Sequence, residues 1–281
     1  MTKNATIKKP EPFLKWAGGK SQLLQQFSAF FPESFNNFIE AFTGGGAVFF
    51  HLFASGKLKN KKITLIDTNE ELTNLYEVIK DKKTLNKLIR TLNNGEFMNN
   101  EVTFYKIRAI EPKDEVSKAA RMLYLNRTCF NGLFRVNSSG KFNTPFGRYN
   151  NPQICNEDNL ESVHDALKNV EILNKDFTAV LDIAEKGDFV YFDPPYHPVS
   201  KTASFTSYTK NSFVLKDQVR LAKTYKELDE KGCKLMLSNS DVKAIKDLYK
   251  GYQIKLVQAK RRINCRASGR GVINELVILN Y

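Results

Sequence analysis

Phe189-Val190-Tyr191-Phe192-Asp193-Pro194-Pro195-Tyr196 decides how the rest of the chain is read. Four consecutive apolar residues suit a buried strand, and two prolines end it at once because each lacks an amide donor and fixes its own φ. With each residue type at roughly 5%, Asp-Pro-Pro-Tyr arises by chance about once in 10^5 positions. Its place directly after a strand therefore asks for an explanation. A proline-stiffened turn with a buried tyrosine is one reading, and a site for an aromatic amine is another.

The second reading uses every residue. An exocyclic aromatic amine is a poor nucleophile because its lone pair is delocalised into the ring. A group-transfer site must accept both amino hydrogens and favour the pyramidal nitrogen, which the Asp193 carboxylate and the Pro194 carbonyl can do. These acceptors act most strongly on charge that develops in the transition state. The prolines hold the carbonyl in a fixed loop, and Tyr196 offers a ring for stacking. If the amine belongs to a base held in a duplex, that base reaches such a site only by rotating out of it.

Outward from this strand, three other segments share its pattern. Phe38 to Glu40 leads into Gly44-Gly45-Gly46 and an apolar helix from Ala47 to Phe53. Ile63 to Ile66 ends in Asp67, and Lys234 to Leu237 ends at Ser238-Asn239-Ser240. Strands alternating with helices predict a parallel α/β sheet, whose ligand crevice lies at the carboxyl ends of the strands. Gly44, Asp67, Asp193 and Ser238 should then converge. Between residues 69 and 159 helices over Leu72–Ile79, Thr84–Leu92 and Val116–Leu125 give way to a stretch rich in Gly, Asn and Arg. This predicts an inserted, mostly helical subdomain at 69–159 within a discontinuous domain of 1–68 and 160–281.

Two motifs fail on inspection. Gly18-Gly19-Lys20-Ser21 lacks the first glycine of a phosphate-binding loop, having Leu14 in its place. Gly44-x-Gly46 has Phe49 where a dinucleotide fingerprint needs a third glycine. Gly44 to Gly46 still suits either a tight turn or close approach of a cofactor. On its own Asp67 reads as a helix N-cap before it reads as a ribose ligand.

Of 281 residues 42% are hydrophobic, enough for a sizeable core. Lysine and arginine number 43 against 30 acids, and the net charge of +13 favours a polyanionic partner, nucleic acid before an anionic membrane. No apolar run approaches a spanning helix, and Met1 to Lys9 is polar, so no membrane association and a cytosolic setting are expected. Cys129, Cys155, Cys233 and Cys265 are widely spaced with no C-x-x-C pair, which disfavours disulfides and a structural metal.

Taken together, Phe13-Leu14-Lys15-Trp16-Ala17-Gly18-Gly19-Lys20, Glu40-Ala41-Phe42-Thr43-Gly44-Gly45-Gly46, Asp67 and Asp193 to Tyr196 resemble the Dam-type DNA adenine N6-methyltransferases. Asn126-Arg127, Phe130 to Arg135, Phe142 to Tyr149, Phe205 to Tyr208 and Leu237 to Asn239 extend the match over nearly the whole chain. The resemblance implies a Rossmann-like α/β methyltransferase sheet with an inserted DNA-recognition subdomain, S-adenosyl-L-methionine as methyl donor and S-adenosylhomocysteine as product. It implies Asp193, Pro194 and Tyr196 as catalytic. It implies Trp16, Lys20, Glu40, Phe42, Gly44, Gly46, Asp67, Asp176, Phe177 and Asp193 as the cofactor site, with Asp67 on the ribose hydroxyls and Asp176 on the cofactor adenine. Double-stranded DNA, methylated at GATC, would meet Arg127, Phe130, Asn131, Leu133, Arg135, Asn137, Pro145 and Arg148. Ala41 stands where the family has proline, and Thr128-Cys129 occupy a loop whose residues vary among members.

The recognition residues also have readings of their own. Arg135 can present two donors to guanine O6 and N7, and Phe130 can wedge into the gap left by a rotated base. Without the resemblance Phe130 reads as core and Arg135 as a solvated or phosphate-binding charge. Lys260-Arg261-Arg262, Arg266 and Arg270 read equally as a phosphate-gripping loop and as a solvated charge run. The expected setting is bacterial or phage-encoded, as the protective partner of a restriction endonuclease or as an orphan methylase. The rivals are an adenine methyltransferase acting on RNA or another sequence, and a DNA-binding protein without turnover, against which intact Trp16, Lys20, Asp67 and Asp193 argue.

Overall fold

The structure, a computed structural model, describes residues 9–16, 18–137, 139–197, 213–260 and 272–281, with Lys260 and Val272 as backbone only. Among these residues seven strands form one sheet: β1 (Phe38–Glu40), β2 (Ile63–Asp67), β3 (Val170–Asn174), β4 (Phe189–Phe192), β5 (Lys234–Ser240), β6 (Gln253–Lys260) and β7 (Val272–Leu279). Their order is β3-β2-β1-β4-β5-β7-β6. The first five are parallel, and β7 runs antiparallel to both β5 and β6. The expected α/β sheet is present, but its far end is an antiparallel pair that a purely parallel reading does not contain.

Side chains alternate between the two faces of the sheet. Phe38, Phe189 and Tyr191 join one apolar cluster, whereas Ile39, Val190 and Phe192 join another on the opposite face. The first is covered by α1 (Leu24–Phe27), α2 (Ala47–Ala54), α3 (Glu70–Lys80) and later helices; α8 (Val180–Ile183), α9 (Leu215–Glu230) and α10 (Lys243–Leu248) cover the second. The chain order reverses between β1 and β4, so their carboxyl ends, Glu40 and Asp193, flank the topological switch point where open α/β sheets bind ligands.

Between β2 and β3 lie α3, α4 (Lys82–Leu92), α5 (Glu101–Ala109), α6 (Glu115–Thr128) and α7 (Glu157–Leu167). Each starts on an Asn or Asp whose side chain accepts an amide of the first turn: Asn69, Asp81, Asn100, Asp114 and Asn156. Such a cap contributes about 1 kcal/mol. Asn69, not Asp67, caps α3, because Asp67 is the last residue of β2 and its carboxylate turns to other amides. Helices α5 and α7 go beyond the three helices read from the sequence, and Phe104 and Ile107 of α5, like Leu160 and Val163 of α7, belong to the first cluster. Among the described residues no helix is long and apolar enough to cross a membrane.

Strand β5 runs on through Ser238, Asn239 and Ser240, where the sequence reads a loop, because these polar residues pair with Val277, Leu276 and Glu275 of β7 and are buried. At the outer edge the Gln26 side chain donates from Nε2 to Gln258 O (3.0 Å) and accepts from Gln258 N (3.1 Å).

Candidate active site and adjoining hairpin

All four residues of β4 are buried, and the strand delivers Asp193 at its end. Lys20, only 4% exposed, places its ammonium 2.6 Å from Asp193 Oδ1 and 2.7 Å from Oδ2, and also donates to Gly18 O. Ser238 Oγ donates to Asp193 Oδ1 at 2.9 Å, which leaves the Tyr191 hydroxyl, 3.0 Å away, to donate to Ser238. Burial raises the Asp193 carboxyl above the usual range, and the Lys20 charge and the hydrogen bonds oppose that rise.

The loop after Asp193 is tied to its surroundings. Gln218 Nε2 of α9 donates to Pro195 O at 3.0 Å, and Asn239 Nδ2 of β5 donates to Gln218 Oε1 at 3.0 Å. Among the described residues no donor meets the Pro194 carbonyl. The Tyr196 hydroxyl donates to Glu275 Oε2 at 2.6 Å, and the Lys20 ammonium lies 4.6 Å from the centre of the Tyr196 ring.

Glu40, at the end of β1, is buried and accepts the Phe49 amide at 3.1 Å. Burial, then the neighbouring Asp193 charge, pushes its carboxyl well up. Asp67 accepts from Gly44 N and Asn69 N, each at 2.9 Å, and is also raised by burial. Gly44 and Gly46 both have positive φ. A Cβ on Gly44 would meet the Trp16 indole at 2.7 Å, and one on Gly46 the Tyr76 hydroxyl at 2.7 Å. These glycines thus let the loop pack on two aromatic side chains. The Trp16 ring stacks on Phe134 at 5.7 Å, which joins this site to the inserted segment.

A third group lies at the end of β3. Phe42 and Phe177 stack with centroids 5.3 Å apart. Asp176 Oδ1 accepts from Thr178 N, Thr178 Oγ1 and Arg220 Nη2, and the Arg220 guanidinium lies 4.9 Å over the Phe177 ring.

The expected DNA-contacting residues fall on one hairpin and its flanks. Bridges between Cys129 and Phe146 and between Val136 and Phe142 close it. Phe130 is 52% exposed, with its amide on Pro145 O at 2.9 Å. The chain turns through Asn131 and Gly132, both at positive φ, and a Cβ on Gly132 would lie 2.4 Å from Lys15 Cβ. Asn126 anchors the same contact by bonding both the amide and the carbonyl of Lys15. Leu133 is partly buried, and its carbonyl accepts from Thr144 Oγ1. Exposed Arg135 donates from Nε to Asn143 Oδ1 at 2.8 Å. Asn137 spends its Oδ1 on the Ser139 and Lys141 amides, and so builds the turn. Arg148 pairs with Glu101 at 3.2 Å. Arg127 is mostly buried and donates to Phe13 O, with Lys15 and Tyr149 beside it around a cavity of about 150 Å³. Phe205 to Tyr208, Arg261, Arg262, Cys265, Arg266 and Arg270 lie outside the described residues.

Glu275, Gln218 and Tyr76 belong to these networks and are absent from the sequence reading. The signal was available for two of them: Glu275 is the one acid in Val272–Leu279, and Gln218 sits on the buried face of α9. A polar residue at a core position calls for a partner.

Residues 16–263 match the family of D12 class N6 adenine-specific DNA methyltransferases. The chain is similar to type II methyltransferase M.MjaIII of Methanocaldococcus jannaschii, with 47% identity over 96% of this chain and 99% of that one. It is similar to type II methyltransferase M1.LlaDCHI of Lactococcus lactis subsp. cremoris, with 42% identity over 96% and 95%. It is also similar to a DNA adenine methylase of Serratia marcescens, with 36% identity over 97% and 99%. With Asp193-Pro194-Pro195-Tyr196 seated at the switch point of the sheet, the chain belongs to the D12 class of N6 adenine-specific DNA methyltransferases.

Proposed function

We propose that the chain methylates adenine within GATC in double-stranded DNA, acts on a base rotated out of the helix, and serves as the modification partner of a restriction endonuclease. The observation that carries the chemistry is Asp193, fixed at the carboxyl end of β4 by Lys20 and Ser238, with the Tyr196 ring beside it. Residues 69–159 are the recognition domain in this reading. Two of the three relatives named above bear the name type II methyltransferase, which favours the restriction-modification setting over an orphan enzyme.

Membership of the family implies S-adenosylmethionine as methyl donor. The residues present fit it. Glu40 is buried and Asp67 and Asp193 are partly buried acids, with Lys20 as the cation beside them, so a ligand carrying a sulfonium and an ammonium charge complements the site. Asp67 would take the ribose hydroxyls. Trp16, Gly44 and Gly46 would border the methionine end, and Phe42, Asp176 and Phe177 the adenine. Bound there, the cofactor supplies an electrophilic methyl group.

The chain's own residues do the rest. Asp193 accepts one hydrogen of the target amine and the Pro194 carbonyl the other, so the nitrogen lone pair is freed from the ring and its growing positive charge is stabilised. Lys20 holds Asp193 ionised against desolvation. Tyr196 stacks on the base and Phe130 fills the gap in the duplex. Arg135, oriented by Asn143, reads guanine.

Transfer of labelled methyl groups to duplexes with and without GATC tests the specificity. Asp193→Ala should abolish transfer and leave DNA binding intact; near-normal turnover would sink its proposed role. Arg135→Ala should cost about 1 to 3 kcal/mol of discrimination at one guanine position. Equal weakening on all sequences would make Arg135 a phosphate contact instead.

A further inference from the structure

We infer that Glu275 is a positioning residue for methyl transfer: from buried β7 its carboxylate holds the Tyr196 phenol and so sets the ring that faces the target adenine. The inference rests on the reading of Tyr196 as the stacking surface for that base.

Glu275 is an acid where the fold asks for an apolar side chain. It lies opposite Ser240 of β5 and Val257 of β6, and the next three residues, Leu276 to Ile278, are fully buried. A carboxylate is costly to bury without partners. Its partners here belong to the active site: the Tyr196 hydroxyl at 2.6 Å, and the attraction of Lys20, which opposes the effect of burial on its ionisation.

Tyr196 needs such a partner. Gln218 and Asn239 tie down the backbone around it, through Pro195 O and His197 N, but neither bond touches the ring. The phenol is the ring's far end, and its bond to Glu275 joins residues 79 positions apart. A phenol that donates to a carboxylate also has a more electron-rich ring, and a cation is drawn to such a face. The Lys20 ammonium, held by Asp193 and Gly18 O, lies 4.6 Å from the ring centre, within the range at which a cation and such a ring attract. The amine that gains positive charge during transfer would benefit in the same way.

The test compares Tyr196→Phe, Glu275→Ala, Glu275→Gln, Tyr196→Ala and the Tyr196→Phe/Glu275→Ala double variant on one duplex. Steady-state kcat and KM are measured, together with cofactor binding and the fluorescence of 2-aminopurine at the target position. Tyr196→Phe and Glu275→Ala should each lower kcat roughly tenfold, leave cofactor binding within about twofold, and combine without further loss because they break one bond. Glu275→Gln, which keeps an acceptor oxygen, should recover most of the rate. Multiplicative losses in the double variant would overturn the inference. Normal kcat in Tyr196→Phe would overturn it too, and that variant leaves β7 intact if Glu275→Ala fails to fold. In that case an impaired Tyr196→Ala keeps the stacking reading; normal turnover in Tyr196→Ala overturns the stacking reading and this one with it.

Discussion

Lys20→Met tests whether the Lys20 to Asp193 pair holds the site together. The direct attraction at 2.6 Å, with an effective dielectric constant near 20, is ~6 kcal/mol. Methionine keeps much of the lysine stem and also removes the cost of burying an ammonium, so the net loss is smaller. Breaking one side of a buried pair costs roughly 3 to 5 kcal/mol. Asp193 keeps the Ser238 hydroxyl and is 18% exposed, which places the expected loss near ~3 kcal/mol. The loss should depend on pH. A carboxyl raised in the folded state contributes stability that is fully present below its unfolded pKa and is lost as pH rises through its folded pKa. Without Lys20 that rise grows, so the deficit should be largest at neutral and alkaline pH and shrink on acidification. Urea unfolding of both proteins across pH measures it. A deficit that does not change with pH, or one below about 1 kcal/mol at pH 8, would refute the argument.

Gly132→Ala should destabilise the protein by about 1 to 3 kcal/mol, because the position has positive φ and the added carbon meets Lys15. Unfolding curves give the stability, and discrimination between cognate and altered duplexes should weaken because the same turn presents Phe130. Phe130→Ala should reduce the 2-aminopurine signal of base rotation while cofactor binding is retained, and an unchanged signal would remove Phe130 from that role. On acidification, kcat should fall as Asp193 protonates, above the usual carboxylate range, since the neutral acid is the weaker acceptor. The far-UV spectrum should persist through that window, because Glu40, Asp67, Asp193 and Glu275 are all raised and their protonation favours the folded state.

Much of the fold is visible in the sequence itself. β1, β2 and β4 are short apolar runs ended by Gly, Asp or Pro chemistry, which local rules capture. β5 reads as ending at Leu237 because Ser238-Asn239-Ser240 resembles a loop; only the pairing with β7 and the proximity of Asp193 explain three polar residues inside a strand. Helix α5 is harder to see, as Val102 and Tyr105 on its outer face are exposed and blur the apolar period. Asp67 looks like a cap from sequence, but the strand is one residue longer than Ile66 and the cap passes to Asn69. At the site, Asp193 and Tyr196 are legible from their own motif. Glu275 and Gln218 show in the sequence only as polar residues at apolar positions, and their roles do not, because their partners come from other segments: 79 residues away for Glu275, and 23 and 21 for Gln218.

The amide of Gln26 offers β6 one donor and one acceptor, as a neighbouring strand would. A sheet that ends in bare peptide groups invites a foreign strand to continue it. Here a residue 232 positions earlier in the chain occupies that ladder position. Leu256, 57% exposed two residues away, is the side chain such a strand would otherwise find next to an open rung. One glutamine thus closes one rung of this edge, and Gln26→Ala would return that rung to any strand able to pair with it.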